Sequence, residues 1–296
     1  MKVYFPTYYN NFHCIADKCT HSCCIGWEVA VDDLTLKKYE QLGERSILEK
    51  ITDGCIGMTE EGRCPFLRRD GLCHIIAEHG EGMIGEICRE HPRFYHAIGD
   101  RVEMGIGASC PEAARLIMTS DGYDDFDSAE RDCSPAEETD FDMLTHRNGI
   151  FSILSDRNER LADRLEMITS LYEIGDFDPR AEQWNERLSS LEYLYPEHQG
   201  LFEVGLTDGR EEMEEIFERF LAYLVYRHCS VADCYEDLQS RLAFCLVVLS
   251  VLENHTAKTD SGLNEAIKFV EIISEEIEYC EENTESLIMD AQLALM

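Results

Sequence analysis

The sequence has few positive charges. Its 296 residues include 26 Lys and Arg against 60 Asp and Glu, which gives a formal net charge of -34. A surface of that sign repels phosphate backbones and anionic lipid headgroups, so nucleic acid and membrane surfaces are poor candidates for partners. A cationic protein surface would be attracted instead. The acidity also fits a solvated surface that keeps the protein in solution, and net charge does not decide between the two interpretations.

The sequence also lacks a long apolar run. The longest such run, residues 242–252, is about half of the roughly 20 residues that a membrane-spanning helix needs. It predicts a buried core helix. The first residues, MKVYFP, show neither the apolar stretch nor the small-residue cleavage site of a secretion signal. We therefore expect a cytoplasmic protein.

Cysteine is abundant. A reducing cytoplasm does not favour a disulfide framework for the 14 cysteines, and closely spaced thiols favour a metal there. Nine of them lie in the first 110 residues, whereas the other five are scattered without metal-like spacing. The nine are Cys14, Cys19, Cys23, Cys24, Cys55, Cys64, Cys73, Cys88 and Cys110. The distribution places the chemistry in the N-terminal part.

The usual motifs of thiol sites are absent. The chain has no pair of CxxC knuckles for a zinc ribbon, no C-x2-C-x2-C ferredoxin run and no C-x3-C-x2-C signature. Sets of four thiolates nevertheless satisfy tetrahedral zinc or a 4Fe-4S cluster. The eight candidate ligands are Cys14, Cys19, Cys23, Cys24, Cys64, Cys73, Cys88 and Cys110. They suffice for two four-ligand sites, or for one site with additional structural or reactive cysteines.

The adjacent pair Cys23-Cys24 is a special case. Neighbouring side chains on an extended chain point to opposite faces, so either the chain bends there or only one of the pair is a ligand. A reactive thiolate at this pair is a further interpretation. Six histidines near the thiols are additional candidate ligands, although each alone is more typical of a surface or hydrogen-bonded imidazole. They are His13, His21, His74, His79, His91 and His96.

Composition divides the chain into three parts: a cysteine-rich module over 1–119, an acidic linker or loop over 120–142 and a helical domain over 143–296. Glycines interrupt the first part, and apolar residues recur at helical spacing in the third. The prediction is a mainly α protein, with an irregular N-terminal metal or cluster module of few short strands packed on an all-helical domain. Within the module, Asp32 or Asp33 caps a helix that stops near Gly43, and Pro111 begins another.

Gly105-x-Gly107 has the outline of a nucleotide-binding loop. The third glycine of that motif is missing, and no acid about 20 residues later stands apart from the general acidity. We interpret it as a turn that brings Cys110 to the other thiols.

Several blocks in order resemble the flagellin lysine-N-methylases, the FliB family, and the zinc- or iron-chelating cysteine-rich domains with which that family shares a region. The blocks are Phe12-x-Cys14-x4-Cys19-x3-Cys23-Cys24-x2-Trp27, Cys64-Pro65-Phe66-Leu67 with Gly71-Leu72-Cys73, Cys88 with Pro92-Arg93, and Cys110-Pro111-Glu112-Ala113-Ala114-Arg115-Leu116. The later segment Phe220-x6-Arg227 is similar to the family's helical part.

The resemblance implies methyl transfer from S-adenosylmethionine to lysine amines of flagellin, with an iron–sulfur cluster or zinc bound by the eight cysteines. Arg89 and Arg93 are candidates to hold the donor's carboxylate or to orient a cluster. Tyr8, Tyr9 and Tyr95 are candidate proton acceptors, and the catalytic base stays open. A second class of function is a non-catalytic protein that stores, delivers or senses iron, zinc or a cluster.

Overall fold

The computed structural model describes residues 1–20, 23–98, 101–131, 141–207 and 210–296. The protein is mainly helical, as predicted. The strands are β1 (Lys2–Pro6), β2 (Val29–Ala30), β3 (Ile51–Thr52), β4 (Cys55–Ile56), β5 (Arg93–Ile98), β6 (Arg101–Ile106) and β7 (Phe126–Glu130). The helices are α1 (Asp33–Leu42), α2 (Arg45–Leu48), α3 (His74–His79), α4 (Glu86–Glu90), α5 (Pro111–Thr119), α6 (Met143–Leu154), α7 (Leu161–Leu171), α8 (Gln183–Ser189), α9 (Glu214–His228), α10 (Tyr235–Thr259), α11 (Leu263–Ile273) and α12 (Glu281–Ala294).

The chain forms two compact units. The helical unit comprises Met1–Phe12, Tyr95–Ser109 and Ala113–Met296. The thiol unit comprises His13–Phe94 and Cys110–Glu112. These units do not follow the predicted sequence boundaries at residues 119 and 142, because strands from both ends of the N-terminal part belong to one sheet of the helical unit.

That sheet has the strand order β5-β6-β1-β7. Strand β1 runs parallel to β6 and antiparallel to β7, with Val3 paired to Val102 on one side and to Ala129 on the other. Val3 is fully buried. The start of the chain is thus a central strand, which explains its alternating apolar residues.

Strand β7 corrects the prediction of an acidic loop over 120–142. Five of those residues pair with β1, from Lys2↔Glu130 to Pro6↔Phe126. The acids of an edge strand can stay in water while its backbone pairs, and Asp127 and Glu130 are both exposed. Residues 132–140 of the predicted loop lie outside the described residues.

Helix α10 forms the centre of the helical unit, as its apolar run predicted. Every residue from Leu242 to Leu252 is buried, and the helix packs against α9, α11 and α12. Helix α11 ends at Ile273, and a π-helical turn, Ser274–Glu278, follows.

The thiol unit has a much smaller core. It is built around a three-stranded sheet of order β2-β4-β3. Its buried residues are Val29, Tyr39, Ile47, Ile56, Cys64, Phe66 and Ile75. Helix α1 begins after Asp32, whose carboxylate accepts the backbone N–H of Thr35, and ends at Gly43 in the left-handed conformation. Both ends were predicted from the sequence.

In the portion of the chain that the structure describes, no helix has both the length and the apolar character required to cross a membrane.

Candidate thiol site

All eight predicted ligands fall in the thiol unit. Seven lie between His13 and Phe94, and Cys110 joins them as part of a three-residue piece, although residues on both sides of that piece belong to the helical unit. The sequence separation of Cys110 from the others therefore does not separate it in the fold. This grouping is the main feature of the site.

Backbone pairing brings three of the thiols together. Cys23 and Cys24 lie in a turn, and the Cys24 carbonyl accepts the N–H of Cys64 at 2.8 Å. The neighbouring residues Ile25 and Arg63 also pair, in an antiparallel bridge. Cys64 and Cys73 then lie in one tight hairpin, because Leu67 pairs with Cys73. The result places Cys24, Cys64 and Cys73 around the same small core.

The carboxylate of Asp32 connects this core to α4, the helix that carries Cys88. Asp32 caps α1 and also accepts the N–H of Glu86, the first residue of α4, at 3.0 Å. That hydrogen bond lowers the pKa of Asp32 to about 2, with further help from Thr35. Helix α4 is only five residues long, so this tether has a large share in fixing its position.

We call Cys24, Cys64, Cys73 and Cys88 the inner thiol set. The pKa of the Cys88 thiol is raised to about 12, first by burial and then by the charges of the other three thiols. Burial also raises the pKa of Cys64 to about 11, with Cys24 and Cys73 adding to the rise. Cys88 retains accessible surface, yet enough protein surrounds its sulfur to desolvate it. The four thiols therefore lie within electrostatic reach of one another.

Tyr39 is a neighbour of the inner thiol set that sequence reasoning missed. It is 1% exposed, and burial raises the pKa of its hydroxyl, followed by the charges of Cys88 and Cys73. A tyrosine on the apolar face of α1 gives no signal in the sequence beyond its helical spacing. In the fold it is a neutral phenol beside the thiols.

We call Cys14, Cys23 and Cys110 the outer thiol set. A hydrogen bond with Cys24 raises the pKa of Cys23, and burial adds to it. The charges of Cys14 and Cys110 contribute in the same direction, so the three thiols interact electrostatically. The Cys23 carbonyl accepts the indole N–H of Trp27 at 2.8 Å, which holds the turn. The bend that an adjacent pair of ligands requires is therefore present.

The remaining predicted ligand, Cys19, is half-buried directly after a short helical turn, Ala16–Lys18. Cys55, which was not among the candidates, lies in β4 opposite Ala30 and Thr52.

The histidines have varied positions. His79 lies 3.3 Å from a carboxylate oxygen of Glu44. The ring of His91 lies 5.7 Å from that of Trp27, and burial lowers its pKa to about 4, with Arg93 adding to the effect. His13 is exposed, and His74 begins α3. His96 belongs to the helical unit, where its ring meets Tyr226 edge-on. His21 lies outside the described residues.

The two arginines proposed as cofactor ligands differ in setting. Arg93 donates to the carbonyl of Arg89 at 3.1 Å, at the end of α4. Arg89 instead lines a cavity of about 390 Å³ together with Lys37 and Lys38. The other residues of this cavity are Asp32, Leu34, Thr35, Gln41 and Glu86. Arg89 directly follows Cys88, so the cavity lies next to the helix of the inner thiol set.

The glycine loop and the three tyrosines lie in the helical unit. A Cβ on Gly107 would lie 2.6 Å from Nη1 of Arg227 and closer still to the hydroxyl of Tyr279. The next amide, of Ala108, already donates to the hydroxyl of Tyr223. The loop is thus used in packing. Tyr9 and Tyr95 both accept from Arg131, and burial raises the pKa of Tyr8.

In the ranges that the structure describes, no three or more His, Cys, Asp or Glu side chains are arranged to hold one metal ion. The donor chemistry of the inner thiol set still fits such a group, because four thiols are what tetrahedral zinc and a four-iron cluster require. A bound cation would also favour the thiolates that burial disfavours. To coordinate such a cation, the four sulfurs of the inner thiol set would have to move closer to one another.

The chain is similar to curated proteins of Salmonella. It is 26% identical over 126 residues to the flagellar biosynthetic protein FliU of Salmonella muenchen, which covers 38% of this chain and 75% of that protein. It has the same identity to the lysine-N-methylases of Salmonella choleraesuis and Salmonella typhimurium, over 38% of this chain and 31% of each of theirs. No protein-family model and no solved structure matches the chain. These relatives confirm the resemblance to the lysine-N-methylases.

Proposed function

We propose that the protein transfers a methyl group from S-adenosylmethionine to lysine side chains of a protein, and that the thiol unit binds zinc or a 4Fe-4S cluster. The observation that carries this proposal is the similarity to two lysine-N-methylases. The gathering of eight thiols in one unit supports its metal part. The chain spans 31% of the length of those relatives, so the activity and the substrate of this chain are proposals.

The reaction is a displacement at the methyl group of a sulfonium. The lysine nitrogen must be neutral to attack, so a bound lysine has to lose its proton, and donor and acceptor must be aligned. The protein's tasks are therefore to bind the donor, to orient the amine and to accept a proton. None of these needs a metal. A thiolate-bound metal or cluster would act as a structural staple or as an anchor for the donor's amino and carboxylate groups.

The cavity at Arg89 is a candidate site on the thiol unit for the donor. Its volume of about 390 Å³ lies within the usual range for small-molecule sites. It has both cationic and anionic walls, with Arg89 and Lys37 against Glu86, and these match the carboxylate and the amino group of a zwitterionic amino acid. Arg93 then acts by steadying α4 through the carbonyl of Arg89.

The substrate is proposed to be a flagellin-like protein that carries accessible lysines. The net charge of -34 would draw a lysine-rich surface towards the enzyme and speed its approach. Such steering weakens with salt, so the apparent KM for a basic protein substrate should rise with ionic strength, whereas that for the donor should change little.

The test is transfer of a labelled methyl group from S-adenosylmethionine to a lysine-rich flagellin, followed by identification of N-methyl-lysine. We expect Arg89→Ala to raise the KM for the donor, while Arg69→Ala, an exposed arginine of the same unit that does not line the cavity, leaves it unchanged. No calorimetric binding of S-adenosylmethionine to the metal-loaded protein would refute the proposal.

A second candidate function is metal or cluster transfer without catalysis. It is favoured by the exposure of Cys14, since a carrier needs a thiol that a recipient can reach. This alternative predicts rapid loss of metal to a competing chelator and no binding of S-adenosylmethionine.

A further inference from the structure

Three aromatic rings meet at the ends of three helices of the helical unit. His146 lies near the start of α6, Tyr172 directly follows α7, and Tyr235 begins α10. The ring centroid of His146 lies 5.9 Å from that of Tyr172 and 6.0 Å from that of Tyr235. The centroids of the two tyrosines are 6.2 Å apart. We call His146, Tyr172 and Tyr235 the aromatic triangle.

The aromatic triangle is held in place and is partly open to water. Tyr172 is 3% exposed, whereas His146 and Tyr235 are half-buried. The hydroxyl of Tyr172 donates to the carbonyl of His146 at 2.9 Å, which ties α6 to the end of α7. The imidazole is tilted by 59° from the ring of Tyr172 and by 57° from that of Tyr235, so it does not stack flat on either. The rings are thus arranged before any ligand arrives.

Two exposed acids flank the aromatic triangle. Asp142 caps α6, where its carboxylate accepts the hydroxyl and the N–H of Thr145. These bonds lower the pKa of Asp142, and the charge of His146 adds to the effect. On the other side, burial raises the pKa of Tyr235, and the charge of Glu173 adds to the rise. Acids on two sides of the rings favour a cation there.

The chain does not supply that cation itself. Arg147, the residue after His146, places its guanidinium over other rings, 4.8 Å from the centroid of Phe126 and 5.3 Å from that of Tyr226. Within the described residues, no Lys or Arg lies over the ring of Tyr172 or Tyr235. The aromatic triangle therefore has the rings and the acids of a cation site without a cation of its own.

We propose that the aromatic triangle binds a methylated ammonium group from outside the chain, such as that of a methyl-lysine side chain. An ammonium ion is attracted to an aromatic face within about 6 Å of the ring centroid. Because the three centroids are 5.9, 6.0 and 6.2 Å apart, one ion can reach that distance from all three rings. Binding involves no covalent step.

Methylation decides which ammonium ion such a site prefers. The ammonium of an unmodified lysine is compact and strongly hydrated, so moving it from water to aromatic rings is costly. Methyl groups weaken that hydration and add apolar surface that the rings can cover. Methyl-lysine is the product of the proposed reaction, so its role as the natural ligand rests on the proposed function. Binding itself is independent of catalysis, because the ligand can be supplied ready-made.

The test is isothermal titration of the full chain with a short peptide that carries trimethyl-lysine, at low salt and without S-adenosylmethionine. The same peptide with unmodified lysine should bind about tenfold more weakly, and so should the uncharged isostere in which carbon replaces the quaternary nitrogen. Tyr235→Leu should weaken binding of the trimethyl-lysine peptide about tenfold. Tyr235→Phe, which keeps the ring, should retain it.

Tyr195→Leu is the matched control. Tyr195 is also half-buried in the helical unit and also meets a histidine ring, that of His198 at 5.2 Å, but it lies outside the aromatic triangle. This variant should bind the trimethyl-lysine peptide as the parent protein does. His146→Leu removes a second ring from a different helix and should reproduce the loss seen in Tyr235→Leu, so the test does not depend on the folding of one variant.

Equal affinity for the three peptides, or equal affinity of Tyr235→Leu and Tyr195→Leu for the methylated one, would overturn the inference. Competition by choline distinguishes two sources of the ligand. Displacement of the peptide by a similar concentration of choline would assign the site to a free ammonium compound, and weak displacement would assign it to a methylated protein; both results support the site. A failure of methyl transfer leaves these affinities as they are, so the two proposals fail separately.

Discussion

The helical unit and the thiol unit have hydrophobic cores of very different size. The helical unit buries an eleven-residue apolar run of α10 among other helices. The thiol unit has seven buried core residues, one of which is a cysteine. A core that small contributes little net stability, and small domains of this kind usually depend on a metal or on cross-links. Under the proposed function a bound metal would stabilise the thiol unit, whereas the helical unit depends on the hydrophobic effect.

The largest expected effect comes from Cys64→Ser. Cys64 is a buried member of the inner thiol set, and serine is a poor ligand for soft metals. We expect loss of the inner metal and unfolding of the thiol unit, while the helices of the other unit persist. Elemental analysis and amide hydrogen exchange of the two units measure this directly. Cys55→Ser is the matched control, since Cys55 lies in β4 of the same unit and outside the inner thiol set. Equal metal content in both variants would contradict the comparison.

A substitution that creates a large cavity in the core of the helical unit should have the opposite effect. Phe244 of α10 is fully buried, so Phe244→Ala should lower the free energy of unfolding of the helical unit by about 3–5 kcal/mol. The metal content of the thiol unit should not change. Denaturant unfolding followed together with metal content tests this. A parallel loss of metal would show that the two units are not stabilised independently.

A buried charge should make the helical unit sensitive to acid. Burial alone would raise the pKa of Glu278, but Arg227 and the hydrogen bond with His228 lower it to about 2. Its contribution to stability is therefore present above its ordinary pKa of 4.5 and is lost as the pH falls through about 2. Glu278→Gln should cost about 3–5 kcal/mol at neutral pH, because it leaves Arg227 without its charge partner.

The pH dependence provides the readout for this variant. The difference in unfolding free energy between the parent protein and Glu278→Gln should shrink as the pH falls below 4.5. Glu285→Gln changes an exposed acid of α12 and serves as control. A difference that is constant with pH would show that the charge of Glu278 is not what stabilises the unit.

The smallest effect is expected at the tether between α1 and α4. Asp32→Ala removes both the cap of α1 and the bond to α4, and should cost about 0.5–2 kcal/mol. It should also weaken metal binding through Cys88, because α4 loses its anchor. Asp32→Asn, which keeps a capping oxygen, should retain most of both. The effect of Asp32→Ala should shrink as the pH falls from 3.8 through about 2, because the protonated carboxyl accepts hydrogen bonds more weakly than the carboxylate. Unchanged metal affinity in Asp32→Ala would mean that the tether does not position Cys88.

Local signals in the sequence predicted the helices well. The cap at Asp32, the stop at Gly43, the start at Pro111 and the buried run of α10 all appear in the structure. Pairing between distant segments was not predictable in the same way. Strand β7 is acidic and short, and only its partner β1, more than a hundred residues earlier, makes it a strand.

The candidate site was predictable as a set of residues but not as an arrangement. Counting and spacing selected the eight thiols that the fold gathers in one unit. The division of Cys23 from Cys24, the neighbouring phenol of Tyr39 and the tether from Asp32 all depend on contacts across the turn and between helices. Spacing along the chain carries no information about such contacts.

The most direct test of the account is the metal content and visible spectrum of the protein purified without oxygen. We expect either iron with sulfide and a broad charge-transfer absorption, or stoichiometric zinc, with the thiols of the inner set protected from alkylation. A folded thiol unit without metal, in which those four thiols react as readily as Cys55, would contradict it.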